Sequence, residues 1–242
     1  MYTFLMDDLI FLDTETTGNN LLSDHLFQVC FFLNGKVYSQ YFKPPVPISI
    51  KSQSITHVTN KMVADKEPFS SSQMKKDLEG LAKDHIVVAH NAVFDICMLD
   101  KEGVNVGKFI CTLRVARFLD EQGLTPEYNL QYLRYFHELE VEADAHDAQS
   151  DVLVLKALFE KLYSQMLEKY DSPKAVIDKM VEVSLLPSLF RNFNFGKYKG
   201  KKIEEVLATD RSYMEWMLNQ KLQNDPSDED WIFTLKHYLK VK

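Results

Sequence analysis

Four consecutive apolar residues, Leu9-Ile10-Phe11-Leu12, run straight into Asp13-Thr14-Glu15, and this junction constrains the fold more than any other part of the chain. The apolar run reads as a buried strand, and Thr16-Thr17-Gly18-Asn19-Asn20 as the turn that ends it. Side chains along a strand alternate, so Asp13 and Glu15 point to the same side. Two carboxylates held together at a strand end repel each other and are unfavourable to desolvate unpaired. A divalent cation resolves that conflict, and Mg²⁺ and Mn²⁺ prefer oxygen ligands. A solvated acidic turn would use the same residues, so the pair alone leaves both readings open.

The rest of the chain supplies partners for that strand. Residues 27–32 and 37–42 are apolar runs joined by Asn34-Gly35, the signal of a hairpin. Residues 43–49 form a Pro-rich loop, and residues 50–60 a short helix. The spacing of Phe69, Met74, Leu78 and Leu81 predicts an amphipathic helix. Ile86-Val87-Val88-Ala89 reads as a second buried strand, followed by a helix over 94–101 with Gly103 just past its end. Phe109-Ile110 starts another short element leading into residues 112–119. Asn129 is placed to cap a helix over 130–139. The longest periodic stretch, 146–167, predicts a helix of about five turns. This order gives a mixed α/β domain that closes near residue 168. With 242 residues there is room for that domain and a small module, and Asp171-Ser172-Pro173 marks the boundary between 1–170 and 171–242. In the second part, residues 203–219 read as one or two helices, and 226–231 as a polar turn before a last short helix.

A hydrophobic content of 45% supports a real core. No apolar run approaches the length of a membrane span, so no membrane partner is expected. Asp7 and Asp8 stand where a signal peptide would need a basic flank. The three cysteines, Cys30, Cys97 and Cys111, are scattered among apolar neighbours and read as buried thiols of a reducing, cytoplasmic protein. A net charge of −7 argues against a protein that coats nucleic acid nonspecifically. It does not exclude an enzyme acting on phosphodiesters, because bound cations and a local basic patch can reverse the field.

Two further strand-to-helix junctions carry acids. In residues 87–99, His90-Asn91 sits at the turn and Asp95 on the first turns of the helix. In residues 142–155, Asp144, His146, Asp147 and Asp151 crowd the start of the long helix, and Val152 and Leu153 set Asp151 beside the core. Taken singly, each acid is equally well a helix cap or a favourable charge at a helix start. Functional residues collect where strands end and helices begin, so Asp13, Glu15, Asp95 and Asp151 can meet around two cations about 3.5–4 Å apart. One would lower the pKa of an attacking water, and the other would stabilise a leaving 3′ oxygen. His146 would stand beside the water as general base.

The three segments Asp-Thr-Glu-Thr-Thr-Gly (13–18), His-Asn-Ala-Val-Phe-Asp (90–95) and His-Asp-Ala-Gln-Ser-Asp (146–151) resemble the exonuclease motifs of the DEDD family in its DEDDh (DnaQ-like) branch. The resemblance covers roughly residues 7–168. It implies a ribonuclease H-like fold, with a central mixed sheet flanked by helices, and metal-dependent release of 5′-mononucleotides from 3′ ends. It implies Asp13, Glu15, Asp95 and Asp151 as ligands of two Mg²⁺ or Mn²⁺ ions and His146 as general base. Asn91 matches the motif asparagine that supports the site, and Thr14, Thr16 and Gly18 would pass close to the terminal nucleotide. His57 is a further expected substrate contact. It lies in Ile55-Thr56-His57-Val58-Thr59, where relatives often carry His-Gly-Ile-Thr; here the glycine is missing.

Residues 193–206 and 213–218 resemble the C-terminal module of the exodeoxyribonuclease X type. Four lysines and an arginine fall within 191–202, and Lys197 and Lys199 are the expected DNA contacts. Phe193 and Phe195 are assigned first to the packing of the small module. A DNA 3′–5′ exonuclease acting in repair or end processing is the leading expectation. The alternatives are an RNA-trimming enzyme of the same fold, a polymerase proofreading subunit, a non-catalytic nucleic-acid-binding module and a phosphomonoesterase.

Overall fold

The computed structural model describes residues 8–141 and 148–241. Its centre is a five-stranded sheet in the order β3-β2-β1-β4-β5. Strand β1 (Leu9–Thr16) is the middle strand, pairing antiparallel with β2 (Leu26–Leu33) and parallel with β4 (Ile86–Ala89). The outer strands are β3 (Lys36–Tyr41), antiparallel to β2, and β5 (Lys108–Cys111), parallel to β4. Asn34 and Gly35 both have positive φ, 50° and 77°, as a two-residue hairpin turn of the twist-compatible type requires.

The apolar run at 9–12 is buried because both faces of β1 are covered. Leu9 and Phe11 face one core, with Val88, Ile110 and the apolar side of a long helix; Ile10 and Leu12 face the other, with Val87, Met98 and Leu99. The helices before β4 are α1 (Ile50–Thr56), the single-turn α2 (Asn60–Val63) and α3 (Gln73–Asp84). Then come α4 (Ala92–Lys101), α5 (Thr112–Leu119) and α6 (Leu130–Phe136). Asn129 caps α6, its side chain accepting from the Tyr132 N–H. The helix stops at Phe136, short of Leu139, because Glu138 turns into the left-handed region at φ 53°. The long helix α7 is described over Ala148–Leu167; Val152, Leu155, Leu158, Phe159 and Leu162 fill the first core, with the Phe159 ring edge-on to Phe11 at 5.4 Å.

Helix α8 (Pro173–Ser184) lies past the Asp171-Ser172-Pro173 division, yet Val176, Ile177, Met180 and Val183 pack into this same core. It is also tied down by Ser184, whose hydroxyl accepts from the Cys111 N–H at 2.7 Å. A third core begins at Phe190 and Phe193 and is built from α9 (Ile203–Thr209), α10 (Arg211–Asn224) and α11 (Glu229–Leu239), with Trp231, Met214 and Leu235 at its centre. Residues 203–219 are thus split between two helices, the break falling at Asp210, which caps α10. Arg117 of α5 joins the two bodies. Its guanidinium meets Asp230 at 2.7 Å and lies 4.8 Å from the Phe190 ring, while Asp230 also accepts the Ser188 N–H. Cys30 and Cys111 are buried as expected, but Cys97 is exposed on α4. Its apolar neighbours Met98 and Leu99 face inward, and the residue just before them on the helix turns to solvent.

Candidate active site

Strand alternation puts Asp13 and Glu15 on the same side of β1, as the sequence predicts, and that is the side of Leu9 and Phe11, which faces α7. Thr14 points to the α4 side, where its hydroxyl donates to Asp95 Oδ1 at 2.6 Å. Asp95, on the first turn of α4, is 5% exposed. Asp151, on the first turn of α7, accepts from Gln131 Nε2 of α6 at 2.5 Å. The four carboxylates share one field. Burial raises the Asp13 carboxyl well above its ordinary range, and the charges of Asp95, Glu15 and Asp151 add to the shift. Glu15 is pushed up to about 7 by burial, then by Asp151 and Asp95. Burial also raises Asp95 to about 7, against the opposing hydrogen bond from Thr14. Among the described residues no three His, Cys, Asp or Glu side chains are drawn into a ready metal-binding group. The donor set nonetheless fits a hard divalent cation: its groups are carboxylates, desolvated and mutually repelling, with no cationic side chain among the causes of their shifts.

The remaining expected residues are placed as follows. His146 lies outside the described residues. Thr16 is buried, its hydroxyl donating to the Gly18 carbonyl at 2.7 Å. At Gly18 a Cβ would come within 2.6 Å of the Asp24 carboxylate, which fastens this turn through Thr17 and the Asn20 N–H. His57 follows α1 as its C-cap in the left-handed conformation, φ 58°, a backbone shape that glycine adopts freely. Asn91 is also left-handed, φ 62°, directly before α4 and one turn from Asp95. His90 is not available for proton transfer. Its Nε2 donates to the Tyr128 carbonyl at 2.7 Å and its Nδ1 meets the Thr112 hydroxyl at 2.9 Å, while burial lowers its pKa to about 4.

Lys197 is exposed, 3.1 Å from Asp210 and 4.7 Å over the Tyr198 ring. Lys199 lines a cavity of about 660 Å³ at the seam between the loop 120–129 and residues 189–200. A neighbouring groove of about 800 Å³ runs from Asn91, Phe94 and Arg114 to Asn194, Phe195 and Lys221. Packing explains Phe193, which is 1% exposed, and part of Phe195, whose ring meets buried Trp231 edge-on at 5.3 Å while 41% of the residue stays exposed on this groove. Gln131 carries no signal of a site residue in the sequence, because only the tertiary approach of α6 to α7 brings it to Asp151.

Residues 10–159, from β1 into α7, match the family described as Exonuclease, and this span holds all four carboxylates. The chain belongs to this exonuclease family. Residues 193–221 match a second description, the exodeoxyribonuclease X-like C-terminal. The exonuclease is 29% identical over 238 residues to Exodeoxyribonuclease 10 of Escherichia coli K12, covering 95% of this chain and 97% of that one. It is 25% identical over 227 residues to the PolC-type DNA polymerase III of Caldanaerobacter subterraneus, covering 88% of this chain but only 16% of that one. Among solved structures, Exonuclease X in complex with 5′ overhanging duplex DNA superposes with a TM-score of 0.56 at 24% identity, over 73% of this chain and 99% of that one. A zinc-bound complex of E. coli ExoI with single-stranded DNA also gives 0.56, at 19% identity over 71% of this chain and 42% of that one. These likenesses bear out the mixed sheet flanked by helices. No described helix is long and apolar enough to cross a membrane.

Proposed function

We propose that this exonuclease uses Mg²⁺ or Mn²⁺, held by Asp13, Glu15, Asp95 and Asp151, to release 5′-mononucleotides from DNA 3′ ends. The observation that carries the reading is the meeting of four carboxylates from β1, α4 and α7 in one desolvated field. Two bound ions would supply the compensating charge and the Lewis acidity that phosphodiester hydrolysis needs. The protein's own part is to hold the scissile phosphate in that field and to move a proton. His146, five residues before Asp151 in sequence, would take the proton of the attacking water. Thr16, Gly18, His57 and Asn91 would form the surroundings of a terminal nucleotide at the strand ends. Lys197 and Lys199 would contact its backbone upstream.

DNA is favoured over RNA because the similar proteins are an exodeoxyribonuclease by name and nucleases solved with duplex and single-stranded DNA. Matching over 97% of Exodeoxyribonuclease 10, against 16% of the PolC-type polymerase, favours an end-processing role over polymerase proofreading. We also place the division between catalytic domain and module after α8, near residue 187, because the catalytic core includes that helix. A 5′-labelled oligonucleotide with Mg²⁺ should give a descending ladder, and a 3′-labelled one should release labelled mononucleotide at once. Cleavage of closed circular DNA, or an equal rate on matched RNA, would refute the corresponding part of the proposal.

A further inference from the structure

Asp13 and Glu15 are aimed by the pleat of β1, but Asp95 and Asp151 ride on helix starts, and no strand geometry fixes their side chains. Each receives a short hydrogen bond from a neutral side chain on a different element. Thr14 Oγ1 of β1 donates to Asp95 Oδ1 at 2.6 Å, and Gln131 Nε2 of α6 donates to Asp151 Oδ1 at 2.5 Å. We propose that Thr14 and Gln131 are a matched pair of positioning residues that set the two helix-borne carboxylates for divalent-cation binding. This inference rests on the metal-dependent reading above.

The chemistry of the donors supports it. A lysine or arginine in either place would neutralise a carboxylate and take the cation's role. A hydroxyl or an amide fixes one oxygen and leaves the full negative charge for the ion. Ionised carboxylates have about four lone-pair sites, so the bonded oxygen can keep its donor while the group serves as a ligand. Partners of this kind fix ligand orientation, and their loss typically weakens metal affinity about 10–100-fold. The geometry also gives Thr14 a different task from contact with a terminal nucleotide. Its side chain lies on the α4 face of β1, opposite to Asp13 and Glu15, and is buried against Asp95.

The test is a calorimetric Mn²⁺ titration of the full chain, with steady-state kinetics alongside. Thr14→Val keeps the shape and removes the donor, Thr14→Ser restores it, and Gln131→Met removes the amide at equal length. Thr14→Val and Gln131→Met should each weaken Mn²⁺ binding about 10-fold or more. Thr14→Ser should bind like wild type. Activity should recover toward wild type at high Mn²⁺, with KM for DNA unchanged. If Thr14→Val and Gln131→Met bind Mn²⁺ as tightly as wild type, the positioning role is wrong. A raised KM for DNA with unaltered metal affinity would also overturn it and place Thr14 at the nucleotide. If wild type itself binds no Mn²⁺, and Asp13→Asn changes nothing, the metal-dependent reading fails and this proposal falls with it.

Discussion

Glu15→Gln should stabilise the metal-free protein, and should do so only above the pH at which Glu15 ionises in the unfolded chain. In the folded state its pKa rises from 4.5 to about 7, with burial the main cause. A raised carboxyl pKa means the folded form binds the proton more tightly. Its contribution is complete below about pH 4.5 and is lost as pH climbs through 7. At about 1.4 kcal/mol per unit, the loss by pH 8 is about 3 kcal/mol. For a chain of this length about 1 kcal/mol corresponds to 2–4 °C in Tm, so the variant should melt roughly 6–12 °C above wild type at pH 8 in EDTA. Near pH 4.5 the two should melt together. His90 works in the opposite direction, because its lowered pKa removes stability as pH falls from about 6.5 to about 4. The difference between variant and wild type cancels the His90 contribution, whereas Asp13 adds to the difference, because the Glu15 charge is one of the causes that raise the Asp13 carboxyl. Adding Mn²⁺ at 100 times its Kd should return about 2.7 kcal/mol to wild type and much less to the variant. Differential scanning fluorimetry across pH 4.5–8 reads all of this. A variant-minus-wild-type difference that does not change with pH would refute the idea that Glu15 is held against its own charge.

His146→Ala should lower turnover by about 10²–10⁴-fold while leaving DNA affinity near wild type, measured by single-turnover kinetics and anisotropy. Arg117→Ala removes a half-buried ion pair to Asp230 and the guanidinium's contact with the Phe190 ring, and should destabilise the chain by about 1–2 kcal/mol, read by urea unfolding. Charge reversal at Lys197 and Lys199 should weaken DNA binding and reduce its salt slope by roughly one unit per lost phosphate contact. Phe195→Ala should raise KM on long single strands and spare a mononucleotide aryl ester; equal effects on both substrates would assign Phe195 to stability alone.

What the sequence makes legible is what local chemistry dictates. Asn34-Gly35 announces its hairpin because few other pairs tolerate two positive φ angles in succession. Asn129 announces α6 through its cap, and the alternation of Asp13 and Glu15 follows from strand geometry. The expectation of three strand-to-helix junctions holds only from β4 to α4. Strand β1 turns into β2, and among the described residues α7 follows α6, so packing of the helix starts against the end of β1 is what gathers the four acids. Other features depend on contacts that sequence separation hides. The amphipathic pattern of α8 shows that it needs a core, but not that the core is the one above β5. Gln131 looks like any polar residue on a short helix. Phe193 and Phe195 look alike in sequence, yet only the first is fully buried, the second resting edge-on against Trp231 with its other side in the groove. Cys97 differs from its inward-facing neighbours by a single step of helical phase.

The place of α8 in the large core has a consequence for how the chain is made. Strand β1, with Asp13 and Glu15, leaves the ribosome early, and β5 completes the sheet at Cys111. The helices that cover the Phe11–Ile110 face end only at Leu167 and Ser184. At about 5–20 residues per second, that face waits roughly 4–15 seconds for its cover. During that interval the nascent chain presents an open, aromatic-rich sheet surface, and this is the stretch of synthesis in which a chaperone would engage it.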